Sequence, residues 1–111
     1  MIQVFEAGWI RFIFEHAVEL PVYLVGDFND WNETSHKMIH ERNGTHQLTL
    51  RLPPGEYEFK YKSGSVWFND RDAHAYVPNC WGSENSVVYV PPTSEVRPSP
   101  SETARILGPP A

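Results

Sequence analysis

The chain has 111 residues, 41% of them hydrophobic, which is enough for one domain around a single modest core. Its net charge of −5 comes without any basic run, which argues against nucleic acid and anionic membrane as partners, because phosphate recognition needs clustered Lys and Arg. A lone cysteine, Cys80, excludes an internal disulfide and a thiolate metal site, and no apolar stretch is long enough to span a bilayer.

Met1 is followed by Ile2-Gln3-Val4-Phe5-Glu6 rather than by a basic patch and a long apolar run, so no signal peptide is expected and a reducing, cytoplasmic setting is the simplest assignment. Along the chain, Ile10, Phe12 and Phe14 share one parity, and Val22 and Leu24 form a second short apolar set; both are strand signals. The next segment, Val25-Gly26-Asp27-Phe28-Asn29-Asp30-Trp31-Asn32, sets an indole among amides and carboxylates. An apolar plate ringed by short polar side chains suits a flat ligand with apolar faces and hydroxyl edges, such as a sugar. The same segment also reads as a turn whose Trp31 folds inward to cover the edge of the core.

Asn43-Gly44 favours a tight hairpin turn, since both residues tolerate positive φ, and Leu48, Leu50 and Leu52 alternate after it. Asn32-Glu33-Thr34 and Asn43-Gly44-Thr45 have the form of glycosylation sequons but are read as chance, since glycosylation requires secretion. Pro53-Pro54-Gly55 links the Leu-rich strand to Tyr57, Phe59 and Tyr61. If those three face the core, Lys60 faces outward, because side chains alternate across a strand. The Ser63-Gly64-Ser65 turn then returns Trp67 to the neighbourhood of Lys60, leaving Phe68 to supply the core contact. Read separately, Lys60 is an ordinary solvated lysine and Trp67 a core residue.

Before the final strand, Val87-Val88-Tyr89-Val90, lies the loop Cys80-Trp81-Gly82-Ser83-Glu84-Asn85-Ser86. A tryptophan at a loop tip is costly to expose without a partner, so Trp81 either meets a ligand or folds back over the sheet. Asn85 offers both an amide donor and an acceptor, or else stabilises the turn. Six or seven short strands with turns at this spacing predict an all-β antiparallel sandwich over residues 8–91. Six of the ten prolines fall in residues 91–111. Residues 92–111 are therefore expected to be a disordered or loosely attached tail, in which Ala104-Arg105-Ile106-Leu107 offers an anchor.

Chemistry-bearing patterns are sparse. The five histidines are scattered; His36 and His40 are four apart but have neither a helix nor a partner cysteine. Asp70-Arg71-Asp72-Ala73-His74 lacks the glycine and the run of oxygen ligands of a calcium loop. With fourteen acidic residues a glycosidase-like pair can always be chosen, so their presence decides nothing. There is no phosphate-binding glycine loop and no nucleophile elbow. The sequence predicts a non-enzymatic protein without metal or cofactor.

Taken together, several of these pieces resemble the glycogen-binding domain of AMP-activated protein kinase β subunits, in carbohydrate-binding module family 48, whose early-set, immunoglobulin-like fold also forms the N-terminal domains of branching and debranching enzymes. The resemblance rests on Val25 to Asn32, on Leu52-Pro53-Pro54-Gly55-Glu56-Tyr57-Glu58-Phe59-Lys60-Tyr61, on Trp67 with Asp70, and on Gly82-Ser83-Glu84-Asn85-Ser86-Val87-Val88, in the family's order over residues 10–90. It implies that Trp31 and Trp67 stack on glucose rings, and that Lys60, Asn85 and Ser83 bond to hydroxyls. Where kinase-type domains have a leucine at the loop tip this chain has Trp81, either a third stacking surface or an obstruction. Arg71 replaces a proline that commonly follows the aspartate, and the loop up to Trp81 is about one residue longer. The implied ligand is an α-1,4-linked glucan such as glycogen, starch or maltodextrin. The alternative is a protein-interaction or regulatory subunit that keeps the fold without the sugar site and partners a glucan-metabolising enzyme or a kinase.

Overall fold

The computed structural model of the protein describes residues 1–92. Among these residues there is no α-helix; in chain order the strands are β1 (Ile2–Val4), β2 (Trp9–Phe14), β3 (Val22–Gly26), β4 (Ile39–His40), β5 (His46–Arg51), β6 (Gly55–Ser63), β7 (Val66–Phe68), β8 (Ala75–Pro78) and β9 (Glu84–Val90). The first sheet runs β1-β2-β5-β4 and the second β3-β6-β9-β8, with β7 also paired to β6, and every pairing is antiparallel. The fold is the expected immunoglobulin-like sandwich. β1 precedes residue 8, the expected start of the domain, and forms an edge of the first sheet against β2. The tail expected over 92–111 lies, from residue 93 onward, outside the described residues, as does its Ala104–Leu107 anchor.

Alternation decides which side chains meet between the sheets. Ile10, Phe12 and Phe14 of β2, Val22 and Leu24 of β3, Phe59 and Tyr61 of β6, and Val88 and Val90 of β9 form one buried cluster. Phe12 meets Phe59 edge-on at 5.1 Å, and Phe14 contacts both Tyr61 and Phe68 at 5.1 Å. Tyr61 buries its hydroxyl by donating to Asp70 Oδ2 at 2.6 Å. Burial and that carboxylate push the phenol well above its ordinary range, so it remains a donor.

Two turns are capped by asparagine side chains. In the β4–β5 hairpin only Gly44 takes positive φ, at 89°; Asn43 instead uses its side chain, accepting from the Thr45 amide at 3.0 Å and the Thr45 hydroxyl at 2.7 Å. Asn32 does the same with Thr34, so both Asn-x-Thr triplets serve as side-chain-capped turns. In the same hairpin His46 is buried and stacks on His40 at 4.4 Å, with its Nδ1 unpaired.

Candidate functional site

The β3–β6 pairing places one wall of the site. Gly26 is extended, and a Cβ there would lie 2.5 Å from the Glu58 carbonyl oxygen, so only glycine permits this close approach. The chain then turns through Asp27–Asn29, where Asn29 accepts from the Gly26 amide at 3.0 Å and donates to the Leu24 carbonyl at 3.0 Å. Asp30 and Trp31 follow at φ of 54° and 57°. The Trp31 indole donates to Asp27 Oδ1 at 2.9 Å, while Asp27 Oδ2 accepts the Glu58 amide at 2.8 Å. One carboxylate therefore orients the ring and ties it to β6. Trp31 is half-buried and lines an open groove, so it is not lost into the core.

Parity on β6 turns Lys60 outward, and the Ser63–Val66 hairpin sets Trp67 opposite Lys62 on that same face. Trp67 is 39% exposed, while Phe68 packs against the core. Lys62 Nζ stands 5.6 Å from the centre of the Trp67 ring and pairs with Glu33 at 2.9 Å. Lys60 departs from expectation, since it is outward but not exposed. The β8–β9 loop covers it to 9% exposure, and its ammonium donates to Ser83 Oγ at 3.3 Å and to the Glu84 carbonyl at 3.0 Å. Desolvation lowers its pKa from the ordinary lysine value. Two of its three donors are used, leaving one for a ligand.

Asn79 organises that loop. Its Oδ1 accepts the backbone amides of Trp81 at 2.9 Å and Ser83 at 3.1 Å, and its Nδ2 donates to Ser83 Oγ and to Asn85 Oδ1, each at 2.9 Å. Asn85 is buried and donates to Glu58 Oε1 at 3.0 Å. Trp81, at the tip, is 86% exposed and does not fold back over the sheet.

All six residues singled out in the sequence, Trp31, Lys60, Trp67, Trp81, Ser83 and Asn85, line one groove of about 840 Å³ on the outer face of the second sheet. Glu33, Glu58, Asn79 and Cys80 complete its lining. The sequence reading missed these four. Glu58 was accessible to it, because Glu58 shares parity with Lys60; the role of Asn79 depends on the loop closing around it. The groove combines flat apolar rings with donors and acceptors, the charged Lys60, Glu33 and Glu58 among them, that are already paired with protein partners. It can hold a neutral polyhydroxylated ligand by stacking and hydrogen bonding, without a metal or a covalent step.

Asp70 lies beneath this face rather than in the groove. It is buried, receives the Tyr61 hydroxyl, and donates its amide to Ser86 Oγ at 2.9 Å. Its part in the shared pattern is to pin the β7–β8 connection to the core.

Comparison with known proteins agrees with this architecture. The family described as the glycogen recognition site of AMP-activated protein kinase matches residues 10–96. The chain is also similar to Protein FLOURY ENDOSPERM 6, chloroplastic, of Oryza sativa subsp. japonica, 43% identical over 49 residues, which is 44% of this chain and 9% of that protein. With the match covering most of the chain and the sandwich it requires, this chain belongs to the AMP-activated protein kinase glycogen recognition site family.

Proposed function

We propose that the groove binds a short stretch of α-1,4-linked glucan, with Trp31 and Trp67 stacking on neighbouring glucose rings and Trp81 closing over the ligand from the loop. The observation that carries this reading is the convergence of the three indoles on one groove beside Lys60, Ser83 and Asn85. Each pyranose presents C–H groups to a ring face, so stacking removes apolar surface from water at no charge cost. Hydrogen bonds from the remaining Asn85 donor and the Ser83 hydroxyl replace bonds to water and contribute about 0.5–1.5 kcal/mol each, and one from the charged Lys60 about 1.5–3 kcal/mol. Their main effect is on orientation. Association costs leave a dissociation constant of roughly 10 μM to 1 mM, which a polymeric ligand offsets by avidity.

Binding proceeds without hydrolysis in this reading. The two carboxylates of the groove are both engaged, Glu33 by Lys62 and Glu58 by Asn85, which ill suits them to acid and base roles. Cys80 as a free thiol favours a reducing compartment, the cytoplasm or, by the name of the rice relative, the chloroplast. A glucan-metabolising enzyme or a kinase is the expected companion of such a module.

Titration with maltoheptaose followed by Trp fluorescence tests the proposal. Trp31→Ala and Trp67→Ala should each weaken binding about tenfold or more, and bound glucan should slow alkylation of Cys80, the exposed cysteine of the groove. Unchanged affinity in both variants would refute the stacking role, and release of new reducing ends would refute recognition without turnover.

A further inference from the structure

We propose that the outer face of the first sheet carries a second, weaker glucan site built on Trp9, so that the module bridges two glucan chains. The ligand class rests on the reading of the groove; the site itself does not. β2 sends Ile10, Phe12 and Phe14 inward and Trp9 and Arg11 outward, on the side of the sandwich away from the groove. Trp9 is 43% exposed and Phe5 44%, and with Val4, Glu6, Arg11 and Thr49 they line a shallow depression of about 780 Å³. Neither ring belongs to the core, and together they form an apolar patch rather than scattered exposure.

The platform is rigid. Trp9 pairs with Arg51 across the sheet, and its carbonyl accepts the Phe5 amide at 2.8 Å. The intervening turn is held by Arg51 Nε donating to the Ala7 carbonyl at 2.9 Å and by the Leu52 amide donating to the Gly8 carbonyl at 2.9 Å. Gly8 takes φ of 83°, and a Cβ there would meet the Leu52 carbonyl oxygen at 2.5 Å. A plate fixed on a strand and a closed turn loses little freedom when a ligand docks.

The surrounding groups suit a neutral polyol. Arg11 lies 5.1 Å from the centre of the Phe5 ring and donates to Gln3 Oε1 at 3.3 Å, so Trp9 is the unoccupied plate and most of the guanidinium donors remain. Glu6 supplies an acceptor and Thr49 both a donor and an acceptor. Arg11 and Arg51 exceed Glu6 by a single charge, short of the basic cluster a phosphate polymer needs. Because the core separates this face from the groove, a short oligosaccharide cannot touch both, whereas a branched polymer presents chains to each. The second site then acts through avidity.

Each of the four tryptophans gives its own indole N–H signal in a nitrogen-15-labelled sample. On titration with maltoheptaose the Trp9 signal should move with a higher midpoint than those of Trp31 and Trp67, and should still move in a Trp31→Ala, Trp67→Ala double variant. Trp9→Ala should lower retention in glycogen gels about tenfold while leaving the midpoint at Trp31 and Trp67 unchanged, and Trp9→Phe should retain most of it. A Trp9 signal stationary at millimolar ligand, or retention unaffected by Trp9→Ala, overturns the proposal. So does an amylase-resistant protein complex that Trp9→Ala abolishes, which would assign the face to a protein. A Trp9 response with Trp31 and Trp67 still would instead sink the groove reading and the bridging with it, leaving Trp9 as a lone glucan site.

Discussion

Trp31 and Asp30 stand at positive φ, where a side chain costs of order 1–3 kcal/mol and persists only if its surroundings hold it. Asp27 provides that hold by accepting both the indole N–H of Trp31 and the amide of Glu58. Asp27→Ala removes both bonds while water can reach the freed groups, so we expect a stability loss of about 1–2 kcal/mol and glucan binding weakened about threefold to tenfold. Denaturant unfolding and the maltoheptaose titration measure the two effects. Asp27→Asn, with one carbonyl oxygen to share between two donors, should fall between. This pairing was hidden in the sequence. Trp31 could be marked as an indole among polar residues, but its ring orientation depends on a carboxylate four residues back that also reaches across to β6.

At the scale of elements, the strands were legible where apolar residues alternate, and least legible where strands are shortest. The parity of Tyr57, Phe59 and Tyr61 placed Lys60 on the outer face and, through the Gly64 turn, returned Trp67 to that face, where it lies opposite Lys62. Parity reports direction and not cover, so it could not show that the β8–β9 loop buries Lys60. The three-residue β1 and two-residue β4 carry too few positions for a period to register. The loop itself depends on the four hydrogen bonds of Asn79. Asn79→Ala should release Trp81 and lower glucan affinity as far as Trp81→Ala does, at a stability cost of about 1–2 kcal/mol because Oδ1 of the buried Asn85 also loses its donor. Asn79→Asp keeps the acceptor for the Trp81 and Ser83 amides and should recover part of the affinity. Fluorescence titration paired with thermal melts would separate loop disorder from unfolding.

For the molecule as a whole, acid stability follows from two histidines. Burial lowers the pKa of His46 below its ordinary 6.5, with His40 adding to the effect; burial and Arg71 lower that of His16, against Glu15. In the unfolded chain both bind a proton more readily, so their contribution to stability is complete above about pH 6.5 and is lost as pH falls through the lower folded values. Melting temperature should therefore decline on acidification from about pH 7 to about pH 5, and His46→Phe should flatten that decline. The fold class followed from strand pattern and the six groove residues from pattern together with the family resemblance, Ser83 from the resemblance alone, whereas this pH response followed from burial that only the packed structure reveals.

Around the indoles stand two lysines, Lys60 and Lys62, and three carboxylates, Glu33, Glu58 and Asp27, whose formal charges nearly balance at minus one. A neutral saccharide approaching this nearly balanced array encounters little long-range field. Its affinity should consequently stay within about twofold between dilute buffer and near-molar sodium chloride, in contrast to any ionically steered ligand. By the same logic, glucose chains esterified with phosphate should hold no advantage over unmodified ones, a preference that competition between the two would expose.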